Sequence, residues 1–164
     1  MRNQQPPSRS VRRAVSSDLA LVQKISADAY ISAYLPVLGY IPKPAEEDYR
    51  PRIDRHEVWV LKCGGREVGV AVLEERCDHL LVYSIAVAPT EQRLGHGRAL
   101  LEFADQRAAA IGAEEIRLYT NLRMEKNIAL YRRHGYVEAG IRPHPSRPGE
   151  MLVDMTRSVV LGTP

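Results

Sequence analysis

Apolar positions along the chain recur with two spacings, and the places where one gives way to the other outline the elements. "VRRAV" (11–15) alternates polar and apolar residues and predicts a short strand. Ser16-Ser17-Asp18 then offers a helix start. Leu19, Val22, Ser26, Ala29 and Ala33 fall on one helical face, and Pro36 is expected to stop that helix. After a Pro- and Gly-rich loop, "PAEEDYR" (44–50) reads as a short helix. "EVWVLKC" and "EVGVAVLEE" flank Gly64-Gly65, the strongest hairpin signal in the chain. "HLLVYSIAV" (79–87) is apolar on both alternating sets, as in a strand covered on both faces. A helix follows from about Arg98 to Ile111, with Leu100, Ala104, Ala108 and Ile111 as its buried stripe and Gly112 as its cap. "EIRLYT" (115–120) returns as a strand, and "EKNIALYRRHG" (125–135) is a helix closed by Gly135. "YVEAG" and "EMLVDMTRSVV" supply two closing strands. The order is α/β with a mixed sheet: meander strands first, then a strand–loop–helix–strand crossover.

Composition sets limits on this picture. With 164 residues, 45% of them hydrophobic and 26% charged, the chain has the size and balance of one domain with a proper core. Residues 1–10 are polar, contain Pro6-Pro7 and read as a tail, which leaves 11–164 as a single domain. No apolar run reaches membrane-spanning length, and "MRNQQPPSRS" lacks the apolar segment of a signal peptide, so a cytoplasmic protein without membrane contact is expected. A net charge of +3 permits an anionic ligand but falls short of the clustered basic run of a nucleic-acid binder. Cys63 and Cys77 lack metal spacing and read as small buried or half-buried thiols. The histidines at 56, 79, 96, 134 and 144 never place two ligands on one helical face, so no metal is expected.

The chemistry concentrates in "QRLGHGRALL" (92–101), two glycines one residue apart before an apolar helical pattern. A glycine loop opening a helix turns backbone N–H groups toward an anion at the positive end of the helix dipole. The dinucleotide fingerprint fails because its sixth position is Leu100. The phosphate loop of nucleotide hydrolases fails because Gly97 is followed by Arg98 and Ala99. A dinucleotide site would also need a ribose-binding acid at the end of a strand, and Glu114 and Glu115 open one instead.

"VAPTEQRLGHGRALLEFA" resembles the acetyl-CoA signature of the GCN5-related N-acetyltransferase (GNAT) superfamily, with Gln92, Gly95 and Gly97 at the signature positions. "NIALYRRHGYVEAG" resembles that superfamily's second motif, with Asn127, Tyr131, Gly135 and Tyr136 in place. The order and spacing of both agree, over about residues 11 to 160. The resemblance implies a GNAT-type acyl-CoA N-acyltransferase fold, its central mixed β-sheet of about six to seven strands flanked by about four helices. It implies acetyl-CoA as co-substrate, its pyrophosphate in a loop formed by Gln92, Arg93, Leu94, Gly95, His96, Gly97 and Arg98. Glycine at 95 and 97 lets the main chain approach the ligand. Arg93 and Arg98 either add charge there or are solvated, and the His96 side chain reads as exposed. The pantetheine arm is implied to pair like an extra strand with Ile85, Ala86 and Val87, and Asn121, Asn127 and Ala129 complete the expected contacts.

Direct acetyl transfer to an amine makes two proton demands. An alkylammonium of pKa about 10 must lose a proton, and the departing thiolate should gain one. The resemblance puts Tyr131 beside the sulfur, as the acid. Many members carry a glutamate where this chain has Tyr83. Alternation puts His79, Tyr83, Ile85 and Val87 on one face, so Tyr83 or His79 could relay the proton through water, with Glu75 a further candidate and bulk water an alternative. Acceptor choice is implied to lie in "AYLPVLGYIPKPAEEDY" and "GIRPHPSRPGE". Glu46, Glu47 and Asp48 either attract a cationic amine or are surface residues favoured by a helix dipole, and the tyrosines at 30, 34, 40 and 49 either line a pocket or close a lid. A small-molecule amine or amino-acid derivative is the expected acceptor. A protein N-terminus or lysine, or a non-catalytic acyl-CoA-binding module, stays open. Relatives are often homodimers.

Overall fold

A computed structural model describes residues 7–160, so most of the expected tail lies outside the described residues. The chain forms β1 (Arg9–Arg13), α1 (Leu19–Leu38), α2 (Arg50–Asp54), β2 (Val58–Cys63), β3 (Arg66–Glu75) and β4 (His79–Val87). It continues with α3 (His96–Ala110), β5 (Glu115–Asn121), α4 (Glu125–Arg133), β6 (Val137–Pro143) and β7 (Met151–Ser158). One mixed sheet of seven strands runs β1-β2-β3-β4-β5-β7-β6. Only β4 and β5 pair in parallel, and α3 makes the crossover between them.

Each face of the sheet is covered. Val22, Ile25, Ala29 and Tyr30 of α1, with Ile53 of α2, bury against Val58, Val60, Val70, Val72 and Ala86. Leu100, Leu101, Ala104 and Ala108 of α3, with Ile128 of α4, bury against Leu61, Leu73, Leu80, Val82, Ile116 and Met155. Coverage on both sides is why β2 to β4 read as continuous apolar runs. Gly69, on β3, lets α3 come close: a Cβ there would stand 3.1 Å from the Ala86 carbonyl oxygen and 3.1 Å from Leu100 Cδ1.

Several boundaries moved from their sequence expectations. The first strand begins at Arg9, inside the expected tail, because its register is fixed by pairing with β2, Arg9 opposite Cys63. Pro36 does not end α1. It sits in the last turn, where a missing N–H costs one hydrogen bond, and the helix runs on to Gly39 (φ 75°), whose N–H donates to the Leu35 carbonyl at 2.9 Å. Ala33 is exposed, and Tyr30 takes its place on the buried face. "PAEEDYR" is not a helix: a 3-10 turn spans Lys43–Ala45 and α2 starts only at Arg50. Gly64 and Gly65, both at positive φ, make the expected hairpin turn. Cys63 is buried and Cys77 exposed. Among the described residues no helix is long and apolar enough to cross a membrane.

Candidate active site

The site begins where the sheet splits. β4 and β5 pair only from His79 opposite Glu115 to Leu81 opposite Arg117, and past that point β4 has no partner on its β5 side. Just past that point, the β3–β4 register shifts between Val72 and Leu73, so that Ser84 pairs with Val72, Val82 with Leu73, and Tyr83 is left over. This β-bulge inserts one residue and inverts the alternation that follows it. The expectation of His79, Tyr83, Ile85 and Val87 on one face is therefore corrected. Ile85 and Val87 pack on the α3 side, whereas Tyr83 and Ala86 pack on the α1 side. The backbone of residues 84–87 presents N–H and C=O groups at the gap, ready for an amide-bearing ligand.

The glycine loop caps the end of this strand. Gln92 Nε2 donates to the Val87 carbonyl at 3.1 Å and ties the loop to β4. Arg93 (φ 63°) and Gly95 (φ 81°) both take the left-handed conformation, which turns the chain into α3. The first backbone bond of that helix joins Ala99 N–H to the Gly95 carbonyl at 3.0 Å, so the amides of His96, Gly97 and Arg98 precede the ladder and point forward from it. Gly97 has an ordinary helical φ, and a Cβ there would meet nothing within 4 Å. Its conformation does not require glycine, and in a helix glycine costs about 1 kcal/mol relative to alanine. The main chain at Gly97 is therefore open to close approach from the front of the helix, the approach an anion at a helix N-terminus needs.

Arg98 is held by Glu102 on the helix surface (2.8 Å), while Arg93 and Leu94 are exposed. The His96 side chain, expected to be exposed, is buried. It points inward, accepts a hydrogen bond from Arg9 Nε at 3.2 Å and lies 3.7 Å from Glu91. Burial first, and Arg9 second, push its pKa down, so the loop rests on a neutral imidazole. Arg9 also donates to the Leu94 carbonyl at 2.6 Å. Arg9 therefore supports the loop from β1, a role hidden by the expectation that the tail reaches residue 10.

Tyr131, half-buried on α4, packs against the α3-side core with its ring 6.0 Å from that of Tyr136. Burial, then Tyr34 and Tyr136, raise its pKa, which keeps the phenol protonated at neutral pH. Asn127, one turn earlier, donates to the Tyr34 hydroxyl at 2.7 Å, and Ala129 of the same helix is half-buried. Asn121, also expected as a cofactor contact, closes β5. It is buried, donates to the Tyr40 hydroxyl (3.1 Å) and to Glu150 (2.7 Å), and accepts from the Arg123 N–H (2.9 Å). Those bonds join the end of β5 to the loop after α1 and to the β6–β7 loop.

A cavity of about 760 Å³ opens beside Tyr83, walled by Tyr30, Tyr34 and Tyr40, the 41–48 segment, Tyr119 and Thr120 of β5, and the β6–β7 loop. That volume suits a small ligand. Glu47 reaches into it. One carboxylate oxygen accepts from the Tyr83 hydroxyl at 2.7 Å and the other from Arg52 Nε at 2.7 Å. Arg52 is buried, lies 3.7 Å over the Tyr83 ring, and also pairs with Glu57 and Glu74 at 2.9 Å each. Burial, reinforced by Glu47, raises the Tyr83 pKa, so this phenol too stays protonated. Burial alone would raise the pKa of Glu74, but Arg52 and Arg76 outweigh it and leave it lowered.

His79 is not part of this assembly. It sits at the paired start of β4, with Nδ1 2.7 Å from Asp78. Glu75 binds Arg107 of α3 at 2.6 Å. Of the residues considered for the amine's proton, only Tyr83 lines the cavity. The carboxylate that joins it, Glu47, belongs to the acidic trio that reads more simply as plain surface. Periodicity gave no sign of it, because the contact crosses from a loop to a strand 36 positions away. Among the described residues, no group of three or more His, Cys, Asp or Glu is arranged to hold a metal ion.

A sheet parted beside a bulged strand, with a helix-opening glycine loop at the gap, is the frame of the candidate site. The chain belongs to the GNAT family: the family model of the acetyltransferase (GNAT) domain matches residues 54–138, just over half its length. It is accordingly an acetyl-CoA-dependent N-acetyltransferase. Among solved structures it is similar to the ribosomal-protein-S18-alanine N-acetyltransferase of Escherichia coli, with 22% identity, TM-score 0.75, and coverage of 95% of this chain and 97% of that one. It is also similar to Ard1 of Thermoplasma volcanium, with 18% identity, TM-score 0.76, and coverage of 93% and 98%. The PaiA N-acetyltransferase of Thermoplasma acidophilum, in complex with coenzyme A, matches at 15% identity and TM-score 0.75, with coverage of 92% and 99%. At these identities the likeness speaks for the fold. No curated protein matches the chain.

Proposed function

We propose that the chain acetylates the primary amine of a small molecule held in the cavity beside Tyr83. The observation that carries this reading is the roof of the cavity. The Arg147 guanidinium of the β6–β7 loop lies 3.6 Å over the Tyr40 ring of the loop after α1. Arg123 adds a second tie, donating to the Val37 and Leu38 carbonyls (3.1 and 3.0 Å) and to Glu150 (2.6 Å). The two acceptor loops meet above the cavity, which suits an enclosed small molecule better than an extended peptide.

When bound, acetyl-CoA supplies an acetyl group activated as a thioester. The leading amides of α3 at residues 96–98 hold its pyrophosphate, and the free edge of β4 at residues 85–87 holds its amide-bearing arm. A main-chain N–H of that edge polarises the thioester carbonyl. The Tyr83 oxygen receives a proton from the acceptor's ammonium as its own proton passes to Glu47, which leaves a nitrogen lone pair free to attack. Arg52 orients Glu47 for that transfer. As the C–S bond breaks, the Tyr131 phenol gives its proton to the sulfur; the second proton of the acylated nitrogen leaves through water to restore Tyr131, and Glu47 releases its own to solvent.

The test is to follow free thiol while acetyl-CoA is mixed with a panel of small amines. Wild type should release thiol with some of them. Glu47→Gln, which can still accept from Tyr83 but takes up a proton far less readily, should lower kcat by about 10²-fold or more, within the range of general-base effects, with coenzyme A affinity kept. No thiol release from a preparation that binds coenzyme A would defeat the enzymatic part of this proposal, and normal turnover by Glu47→Gln would defeat the relay.

A further inference from the structure

We infer that the acceptor bears an anionic group as well as its amine, a carboxylate above all, so that the substrate class is amino acids and their close analogues. This rests on the acceptor site proposed above and adds to it the opposite wall of the cavity. Glu47 and Tyr83 make one pole, over β4. Across β5, whose Tyr119 and Thr120 lie between, the β6–β7 hairpin contributes Arg142 and Arg147 to the other pole.

Those two guanidinium groups are built to receive an anion. Arg142 gives only its Nε to Asp154, at 3.1 and 2.8 Å from the two carboxylate oxygens, and its guanidinium carbon is 5.1 Å from the centre of the Tyr119 ring. Its terminal nitrogens are not used in that ion pair. Arg147 forms no ion pair with a carboxylate among the described residues and is held flat by its stack on Tyr40. Stacking uses the face of a guanidinium and leaves its N–H donors, which lie in the plane, directed outward. A plain cationic amine filling this cavity would bring its charge toward two arginines with nothing to offer them. A zwitterion satisfies both walls, its ammonium at Tyr83 and Glu47 and its carboxylate at the arginine pair.

The experiment compares amines in matched sets of one side chain: the amino acid, its carboxamide and the decarboxylated amine, each with saturating acetyl-CoA and thiol release as readout. The expected result is a kcat/KM for the free acid about 10- to 100-fold above that of the carboxamide, the range of one charge-assisted hydrogen-bonded contact. In Arg147→Ala that ratio should fall toward one, through a higher KM for the acid. Arg147→Lys, which keeps the charge but loses the planar fork, should give an intermediate ratio. A second readout needs no turnover. With coenzyme A bound, the N-acetylated acid should raise the melting temperature more than its N-acetylated amide does, and Arg147→Ala should erase that difference. If carboxamides and simple amines serve as well as the acids, or if Arg147→Ala leaves the ratio unchanged, the anion site is wrong while acetyl transfer to an amine stands. If no amine releases thiol from protein that binds coenzyme A, the acceptor reading falls and this inference falls with it.

Discussion

Replacing Gly97 by alanine separates what the fold needs from what the ligand needs. The backbone at this position is helical, and the new methyl group would meet no atom within 4 Å. On helix propensity alone the substitution stabilises the free protein, by up to about 1 kcal/mol and less if the first turn is already frayed. For a domain of this size that raises the melting temperature by about 2–4 °C. In the proposed complex the same methyl group comes between the pyrophosphate and the leading amides of α3. A hydrogen bond from an amide to a charged oxygen contributes about 1.5–3 kcal/mol. Losing one such contact therefore weakens coenzyme A binding by about 10- to 150-fold, at tenfold for each 1.4 kcal/mol. Thermal melts of the free protein, with calorimetric titration of coenzyme A, measure both effects on one preparation. The expected signature is opposite signs: a more stable protein that binds its carrier less well. A variant that melts higher and binds coenzyme A as wild type does would show that residues 92–98 are a turn and not a cradle.

Tyr131→Phe should lower kcat by about 10²-fold or more while leaving the dissociation constant of coenzyme A unchanged, which stopped-flow thiol detection and calorimetry would establish. An undiminished kcat would remove the acid from the mechanism. Gly69→Ala places a Cβ 3.1 Å from the Ala86 carbonyl and from Leu100 Cδ1, and should cost about 1–3 kcal/mol in urea unfolding. An unchanged midpoint would mean that α3 is free to shift away from the sheet. Asp18 accepts bonds from Arg12 at 2.8 and 3.0 Å and from the Val15 N–H at 2.8 Å. The Arg12 bond leads in holding its pKa below the usual value, against the opposing effect of burial. Its folded pKa is depressed, so its stabilisation is full above the unfolded value of about 3.9 and is lost as pH falls through the folded one. The melting-temperature gap between wild type and Asp18→Asn should therefore narrow on going from pH 6 toward pH 3. A gap independent of pH would sink the assignment.

The parts of this chain legible from sequence are those set by local rules. Gly64-Gly65, Gly112 and Gly135 punctuate where they should, because positive φ is a property of single residues. The two covered faces of β4 and the stripe of α3 follow from burial, which acts on periodicity. What escaped depends on partners remote in sequence. The bulge at Tyr83 arises from register with β3, and nothing in "HLLVYSIAV" announces that its alternation inverts halfway. Arg9 and His96 meet across 87 positions, and Glu47 and Tyr83 across 36. Arg52 carries no signal of its own in the sequence. Only the packing of α2 against the sheet makes it the buried hub of three carboxylates, and its removal should cost about 3–5 kcal/mol by leaving them unpaired.

The two halves of the site differ in what they are made of. In the proposed complex the contacts toward the carrier come from main-chain amides at the head of α3 and along β4, which a new side chain can screen but, proline apart, does not delete. Toward the acceptor, they come from side chains, Tyr83 and Arg142 on strands and Glu47 and Arg147 on loops, each replaceable alone. A lineage with this architecture can drift from one amine to another by changing Arg147, Tyr40 or Glu47 while its acetyl donor stays the same. Diversification of substrates is thus inexpensive, and loss of the donor rare.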